Sequence, residues 1–411
     1  MNKSKVRDLG AWYPDHLNEI GDATVRTLPN STTGALVTAV VRSDGTLVTL
    51  PPAMEITNDI NDDGLVLGLL GSGSVRQSVL YDIKTSTVEP ITIPGFPFIS
   101  ARAINKHGDV AGAAGRGPSL ADDWRGFILE RKTKTVTWVF PTIPLLPGQI
   151  PFLGLHDLND AGHAIGQQGW WYETKGGKLQ STFRATGVFY DGTVTTIGSP
   201  GVKMVAVYGV TNNDRVKIDY EDAQGAHLAG YYDAPIAAIT PFPYGRIIAL
   251  NSAGRILWQE GHPGYRLRLT ANGHTTDLDA LFPDKSGWTD CWPTAMNESG
   301  VIIGEGLLNG DYRGFMLTPV EVVLPAEEAV ARILWGVIQD GDGRVVFGGR
   351  VRRIPPRGPV RELLAALPDE LRRDLSAAVE HARIDDALGA REFESRARSI
   401  LSSFDWRSRQ G

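Results

Sequence analysis

The chain has 411 residues, of which 42% are hydrophobic and 21% are charged, with 47 glycines and 25 prolines. A formal net charge of -6 argues against the basic surface that nucleic-acid binding normally needs. The single cysteine excludes an intramolecular disulfide and a cysteine-rich metal site.

The N-terminus carries no apolar stretch of signal-peptide length, and no run of residues is apolar over the length that spans a bilayer. We therefore expect a cytoplasmic protein without a membrane partner. A secreted protein whose leader has been removed would begin in the same way. The first element is a strand-like segment from Lys5 to Gly10.

A repeated motif occupies the next three hundred residues. It consists of an apolar residue, Asn, two variable residues, Gly and then an apolar strand, as in Ile104-Asn105-Lys106-His107-Gly108. Successive copies are 40 to 54 residues apart, and each is followed by further strand signals. Four short strands in such a period predict the blade of a β-propeller. The anchor positions are Asn18, Asn61, Asn105, Asn159, Thr211 in a degenerate copy, Asn251 and Asn297.

The motif has the chemistry of a tight turn. Asn favours the first turn position, where its side chain accepts a hydrogen bond from the backbone two residues on, and Gly supplies a positive φ. We therefore interpret the anchor residues as architectural rather than ligand-binding.

Ring closure is also predicted from the sequence. The seventh copy has a third strand at 313–317 and then meets Thr318-Pro319, whereas Lys5 to Gly10 resembles the fourth-strand segment 275–279. The N-terminal strand is thus expected to complete the last blade, which leaves no open sheet edge. The rival for that position is the segment 320–324. The predicted fold is all-β, a seven-bladed β-propeller over residues 5–324.

The motif Ile-Asn-x-x-Gly-x-Val-x-Gly, with a Gly-Phe strand and an Asp-Leu-Gly segment after it, resembles the HAF-repeat family of bacterial proteins. The matching stretches are 104–112 with Gly126-Phe127, 296–304 with Gly314-Phe315, and 8–10. The resemblance covers roughly residues 5 to 320. It implies an extracellular protein and brings no catalytic signature.

Residues 325–411 change in character, because helical spacing of apolar residues replaces strand alternation. We predict a small, mainly helical module with a short hairpin at 344–352. The apolar faces of its helices are expected to dock on each other or on the propeller. Alternatively, they recruit a protein partner or a second copy. The three predicted helices lie at 326–339, from about 368 to 379, and at 393–404.

The candidate site lies on the innermost strand of each blade, which precedes the anchor. The residues two positions before the anchor are mostly small, whereas those three positions before the anchor vary and are largely polar. This variation suggests that the latter residues have a functional rather than a structural role. Arg102, His156 and Tyr208 are the catalytic candidates. The binding candidates are Asp15, His16, Asn58, Asp59, Asp157 and Thr294.

Two classes of function fit these residues. The favoured one is a binding scaffold that presents a polar central mouth to a small molecule or peptide. The alternative is an enzyme, such as a lyase, isomerase or cyclase, with His156 as acid or base beside Tyr208, or a variant that holds a metal with Asp15, Asp59 and Asp157. A third reading is that these groups only satisfy one another. No cofactor is required by the sequence.

Overall fold

The computed structural model describes residues 5–27, 36–71, 76–118, 123–144, 147, 149–173, 179–180, 186–198, 203–222, 224–260, 266–271, 274–283, 286–318, 345–347 and 350–352. The chain divides into two compact units, Met1–Val320 and Glu321–Gly411. Within the described ranges no helix has the length and apolar character needed to cross a membrane.

The first unit is a propeller, and the described residues form seven antiparallel sheets of four main strands. Blade 1 contains β2 (Trp12–Leu17), β3 (Ala23–Thr27), β4 (Thr38–Val41) and β5 (Leu47–Thr49). Blade 2 contains β6 (Met54–Ile60), β7 (Leu65–Leu70), β8 (Gln77–Asp82) and β9 (Thr87–Pro90). Blade 3 contains β10 (Phe98–Ile104), β11 (Val110–Gly115), β12 (Arg125–Leu129) and β13 (Val136–Val139).

Blade 4 contains β14 (Gln149–Leu158), β15 (Ala164–Glu173), β17 (Thr186–Tyr190) and β18 (Val194–Thr196), with the short β16 (Leu179–Gln180) beside β15. Blade 5 contains β19 (Lys203–Val210), β20 (Arg215–Glu221), β21 (His227–Asp233) and β22 (Ala238–Phe242), with a 3-10 turn at Ala234–Ile236. Blade 6 contains β23 (Gly245–Leu250), β24 (Ile256–Glu260), β25 (Leu267–Ala271) and β26 (His274–Asp277), followed by a 3-10 turn at Leu278–Leu281.

Blade 7 closes the ring. Its strands β27 (Trp288–Met296), β28 (Ile302–Leu308) and β29 (Asp311–Thr318) are completed by β1 (Lys5–Gly10), which pairs antiparallel with β29 from Lys5 opposite Thr318 to Gly10 opposite Gly314. The predicted seven-bladed propeller and its N-terminal closing strand are confirmed. The rival segment 320–324 lies outside the described residues.

The core lies between blades rather than within one sheet. Phe127 of blade 3 packs with Leu67 of blade 2, and Leu9 of β1 packs with Val25 of blade 1 and Ile303 of blade 7. These side chains are almost completely buried. Each blade therefore depends on its neighbours for its apolar burial, so that an open ring would expose a full blade face.

The two ends of the ring differ in their connections. At one end of the ring, short connections join the first strand of each blade to the second and, in blades 1 to 6, the third strand to the fourth. The longer connections lie at the other end, where each innermost strand begins. We call the first end the anchor mouth, because the repeated Asn turns form it, and the second the loop end.

In the second unit the described residues form a two-stranded antiparallel ladder, β30 (Val345–Phe347) with β31 (Arg350–Arg352). The helices predicted at 326–339, near 368–379 and at 393–404 lie outside the described residues.

Candidate functional site

The anchor residues form a belt around the anchor mouth. In blade 2 the Asn61 Oδ1 accepts hydrogen bonds from the backbone N–H groups of Asp63 and Leu65, and its Nδ2 donates to the Asn105 carbonyl of blade 3 at 3.1 Å. Equivalent bonds connect the anchors of five further pairs of neighbouring blades. The glycine of each turn has a positive φ, as in Gly64 at +81°. The architectural interpretation of the anchors is thus supported, and the link between blades is an addition to it.

A cavity of about 160 Å³ occupies the anchor mouth. It is lined by the anchors and the residues next to them, and of the nine predicted site residues only Asp59 reaches it. Besides Asp59, four carboxylates line this mouth, and they are engaged across blades, since Asp62 accepts from the Glu19 N–H and Glu19 accepts from the Glu298 N–H. We therefore assign these carboxylates to the architecture of the ring.

A β-bulge interrupts the innermost strand of every blade at the same place. The pairing register shifts between the residues four and two positions before the anchor, so the residue three positions before it is left unpaired. Bulges re-aim side chains in this way. We call the seven bulged residues the bulge ring, and it comprises Asp15, Asn58, Arg102, His156, Tyr208, Ile248 and Thr294. At about 3.3 Å per residue, it lies roughly 10 Å along the strand from the anchors.

Part of the bulge ring joins neighbouring blades. Asn58 Nδ2 donates to the Ala101 carbonyl at 2.7 Å, and Thr294 Oγ1 donates to the Pro14 carbonyl at 3.1 Å. His156 makes the same type of bond to the Val207 carbonyl. In each case the acceptor is the residue just before the bulge of the next blade. The polar character of these three positions therefore has a structural role that repeats, although the residue type does not.

Two of the predicted residues two positions before the anchor, Asp59 and Asp157, accept hydrogen bonds from backbone N–H groups. Asp59 accepts from the backbone N–H of Ile60 and of Ile104 in the next blade, and Asp157 accepts from Leu158 and Val210 in the same manner. Burial raises the pKa of Asp59 to about 7 and also raises that of Asp157. Each carboxyl group thus connects its own innermost strand to that of the following blade, at the residue just before the anchor.

His16 supplies a pH-dependent term in stability. Its Nε2 lies 3.2 Å from the Thr57 carbonyl, and burial lowers the pKa of its ring to about 4. Because the unfolded chain binds a proton near pH 6.5 and the folded chain does not, stability is lost as the pH falls from 6.5 to 4. We expect His16→Gln, which keeps a donor toward Thr57, to lose roughly 3 kcal/mol less over this window in urea unfolding.

The control for this measurement is His107→Gln, since His107 is exposed at the surface. The pKa of Asp15 is raised to about 6 by burial, against the effect of Arg26, and that of Asp59 to about 7. These carboxyl groups make the free energy of unfolding rise as the pH falls, which is opposite to the effect of His16. The contribution is the same in the parent and in both variants, so it cancels when a variant is compared with the parent. Equal slopes for the His16 variant and the parent would contradict the assignment.

Blade 5 places a cluster of ionisable groups at the bulge ring. The Tyr208 side chain is 46% exposed, its hydroxyl is hydrogen-bonded to Asp219, and the Nζ of Lys217 lies 4.9 Å from its ring centroid. Burial raises the pKa of Tyr208, with Asp219 adding to the effect, and lowers that of Lys217 to about 8. Arg246 of blade 6 acts on both groups. We call Tyr208, Lys217, Asp219 and Arg246 the blade 5 cluster.

Arg102 and His156 extend this cluster along the ring. Both side chains are exposed, on the innermost strands of blades 3 and 4. Burial lowers the pKa of His156, and the Arg102 guanidinium lowers it further. The innermost strands face the axis of the ring, so both side chains lie beside its central channel. The structure therefore brings Arg102, His156 and Tyr208 to one side of the channel, whereas Asp15 pairs with Arg26 of its own blade at 3.3 Å.

Lys217 and Arg246 were missed by sequence reasoning. Arg246 lies two residues before the bulge of blade 6 and Lys217 lies on β20, opposite Gly209. The signal that points to Lys217 is the degenerate repeat itself, because blade 5 departs from the motif at its anchor, Thr211, and at Asp214, which replaces the turn glycine. No set of three or more His, Cys, Asp or Glu side chains suited to a metal ion occurs in the part of the chain that the structure describes.

Comparison with known proteins identifies no family. No family model matches the chain, and no curated protein matches it. Membership of the HAF-repeat family therefore stays a prediction.

Several solved structures are similar in fold. The β-propeller domain of the Trilobed protease from Pyrococcus furiosus has 8% identity and a TM-score of 0.48, over 76% of this chain and 99% of that domain. Oligogalacturonate lyase from Vibrio parahaemolyticus has 9% identity and a TM-score of 0.48, over 77% of this chain and 94% of its own. A puromycin hydrolase complexed with PGG has 13% identity and a TM-score of 0.47, over 74% and 51% respectively. The chain thus spans about half the length of the hydrolase. These similarities carry no information on the activity of this chain.

Proposed function

We propose that this protein is a binding propeller whose central channel takes an anionic small molecule or the carboxylate of a peptide, on the side formed by blades 3 to 6. The observation that carries the proposal is that two arginines beside the channel have no partner among the described residues. Arg102 and Arg246 are exposed on innermost strands, and among the described residues neither guanidinium has a hydrogen-bond or ion-pair partner.

Other arginines of the propeller are engaged. Arg131 pairs with Glu89 at 3.0 Å, Arg215 with Asp233 at 3.4 Å and Arg313 with Asp8 at 2.7 Å. A chain with an overall charge of -6 supplies carboxylates for pairing at most positions. Two guanidinium groups left without partners beside Lys217 and His156 make this side of the channel locally cationic, in contrast to the acidic anchor mouth.

The chemistry of the ligand follows from these groups. A guanidinium presents paired donors that match a carboxylate or a phosphate, and such bonds gain strength in a partly desolvated channel. Tyr208 and His156 add hydrogen-bonding groups and an aromatic surface. An anion would enter from the loop end, because the carboxylates of the anchor mouth repel it.

A second candidate function is an enzyme of the lyase, isomerase or cyclase type at the same place. It is favoured by the proton-transfer groups of the blade 5 cluster, since an amine with a pKa of about 8 exchanges protons near neutral pH. In this scheme Arg102 would hold the anionic substrate, His156 or Lys217 would act as base, and Tyr208 as acid. Attachment of another protein through residues 325–411 remains a separate proposal.

The binding proposal is tested by titration calorimetry with citrate, malonate and inorganic phosphate. We expect at least one of these anions to bind, and Arg102→Gln and Arg246→Gln each to weaken it roughly tenfold to a hundredfold, as loss of a charged hydrogen bond predicts. The matched control is Arg76→Gln, which removes an exposed guanidinium that faces Glu55 at 3.8 Å. Absence of binding by all three anions, or equal weakening by the control, would overturn the proposal.

A further inference from the structure

Lys217 occupies a position that the other six blades fill with uncharged, fully buried side chains. It lies on the second strand of its blade, opposite the residue two positions before the anchor. The equivalent residues of the other six blades are each 0% exposed. They are Thr24, Leu67, Ala111, Ile165, Leu257 and Ile303.

The architecture of the ring therefore does not require an amine at this position. Burying an ammonium group costs free energy unless it is paired, and five apolar residues and one threonine fill the equivalent positions of the other blades. The partner of Lys217 across the strand is Gly209, which has no side chain to cover the amine. Thr211 and Asp214 replace the anchor Asn and the turn glycine in the same blade, so with Lys217 three departures from the repeat occur in one blade.

The surroundings of the amine are chemically specific. Its Nζ donates to the Ile248 carbonyl at 2.7 Å and lies against the face of Tyr208. The charged and titratable groups that face it are Asp157 on β14, Tyr208 on β19, Asp219 on its own strand and Arg246 on β23. Among the described residues, no carboxylate lies within ion-pair distance of it. The amine is thus held by a single neutral acceptor, next to a phenol that is hydrogen-bonded to a carboxylate.

We propose that Lys217 is a nucleophile that captures an aldehyde or ketone bearing a carboxylate or phosphate, and holds it as an imine. The inference rests on the proposed anion site, because Arg246 would hold the charged end of the ligand. The neutral amine adds to the carbonyl carbon while the carbonyl π electrons move to oxygen. A proton passes from nitrogen to that oxygen to give a carbinolamine, and loss of one water gives the imine.

The neighbours of Lys217 fit this sequence of steps. Tyr208, with Asp219 behind it, is placed to donate a proton to the departing oxygen and to recover it from the amine. Burial lowers the pKa of Lys217 to about 8, so that a substantial fraction of the amine is neutral near physiological pH. No oxidant, reductant or cofactor enters the reaction.

The test is reductive trapping on the full chain. Glyoxylate, which combines an aldehyde with a carboxylate, is added with sodium cyanoborohydride, and the modified lysines are located by peptide mass spectrometry. We expect Lys217 to be modified at least ten times faster than the exposed Lys84 and Lys106. Its rate should rise with a midpoint near pH 8, the pKa to which burial lowers this amine.

Variants and a neutral probe separate this inference from the anion proposal. Lys217→Arg should lose the adduct, and its thermal unfolding shows whether the variant is folded. Tyr208→Phe should slow trapping, and Lys106→Arg should behave as the parent protein. If acetaldehyde traps Lys217 as well as glyoxylate does, and Arg246→Gln has no effect, the amine is reactive but the anion site is wrong. If citrate binding depends on Arg102 and Arg246 but trapping is spread over surface lysines, the imine proposal alone is overturned.

Discussion

Replacing residues 1–10 by a single methionine is expected to lower the free energy of unfolding of the whole propeller by roughly 5 kcal/mol or more, which is comparable with the total stability of many domains. The deletion removes β1, the fourth strand of blade 7, and with it the backbone ladder to β29. It also removes the buried Leu9, and opens the core that Leu9 forms with Val25 and Ile303. Thermal and urea unfolding followed by circular dichroism measure the loss.

The effect is large because β1 contacts both blade 1 and blade 7. Arg7 reaches blade 1, where its guanidinium donates to the Arg42 carbonyl at 3.0 Å and the Ser43 carbonyl at 2.5 Å, while Asp8 pairs with Arg313 of β29. Without β1 the edge of β29 is exposed, and an unpaired edge favours association with other chains. We therefore also expect oligomers in size-exclusion chromatography.

The control for the deletion is Lys5→Ala, which removes an exposed side chain from β1 and keeps its backbone. It should unfold within about 0.5 kcal/mol of the parent protein, as surface substitutions normally do. A deletion variant as stable as this control would show that β1 does not close the ring.

The repeat could be predicted from the sequence because its signals are local. Five consecutive residues suffice to predict each turn. Closure of the ring could be predicted because the segment 5–10 resembles a fourth strand. The bulge ring could not be predicted in this way, since a bulge is a property of pairing between two strands. Nevertheless, its signal is present in the last glycine of the motif. A Cβ added to Gly112 would lie 2.2 Å from the Ser100 carbonyl oxygen, and at Gly166 it would lie 2.1 Å from that of Gly154.

Part of the candidate site could be predicted because its residues lie at a constant distance from the repeated anchors. Counting back from the anchors correctly grouped the residues that share a layer, because every blade carries its bulge at the same distance from the anchor. What counting could not supply is the second strand, which contributes Lys217 and Asp219. Nor could it separate Asn58 and Thr294, whose hydrogen bonds join blades, from Arg102, which makes no such bond to any described residue. The same polar pattern thus covers both structural and free groups.

Asn61→Ala is expected to cost roughly 3 kcal/mol, near the upper end of the range for single substitutions. The side chain is 4% exposed and makes three bonds, accepting from Asp63 and Leu65 and donating to the Asn105 carbonyl. Alanine leaves the N–H groups of Asp63 and Leu65 without their side-chain acceptor, and the Asn105 carbonyl keeps only the Gly108 N–H, so each lost bond carries a desolvation cost. Urea unfolding measures the change, with the slope of the transition expected to stay constant.

The same belt offers a matched control and a gain in the opposite direction. Asn212→Ala removes an amide of equal size from the exposed position beside the anchor of blade 5, where it bonds Asp160, and should cost less than about 1 kcal/mol. Thr211→Asn restores the motif and places an Nδ2 toward the Asn251 carbonyl, so it should stabilise the ring by a few tenths to about 1 kcal/mol. Equal costs for Asn61→Ala and Asn212→Ala would mean that the belt is not what couples the blades. A destabilising Thr211→Asn would instead indicate that the departure of blade 5 from the repeat is required to seat the residues around Lys217.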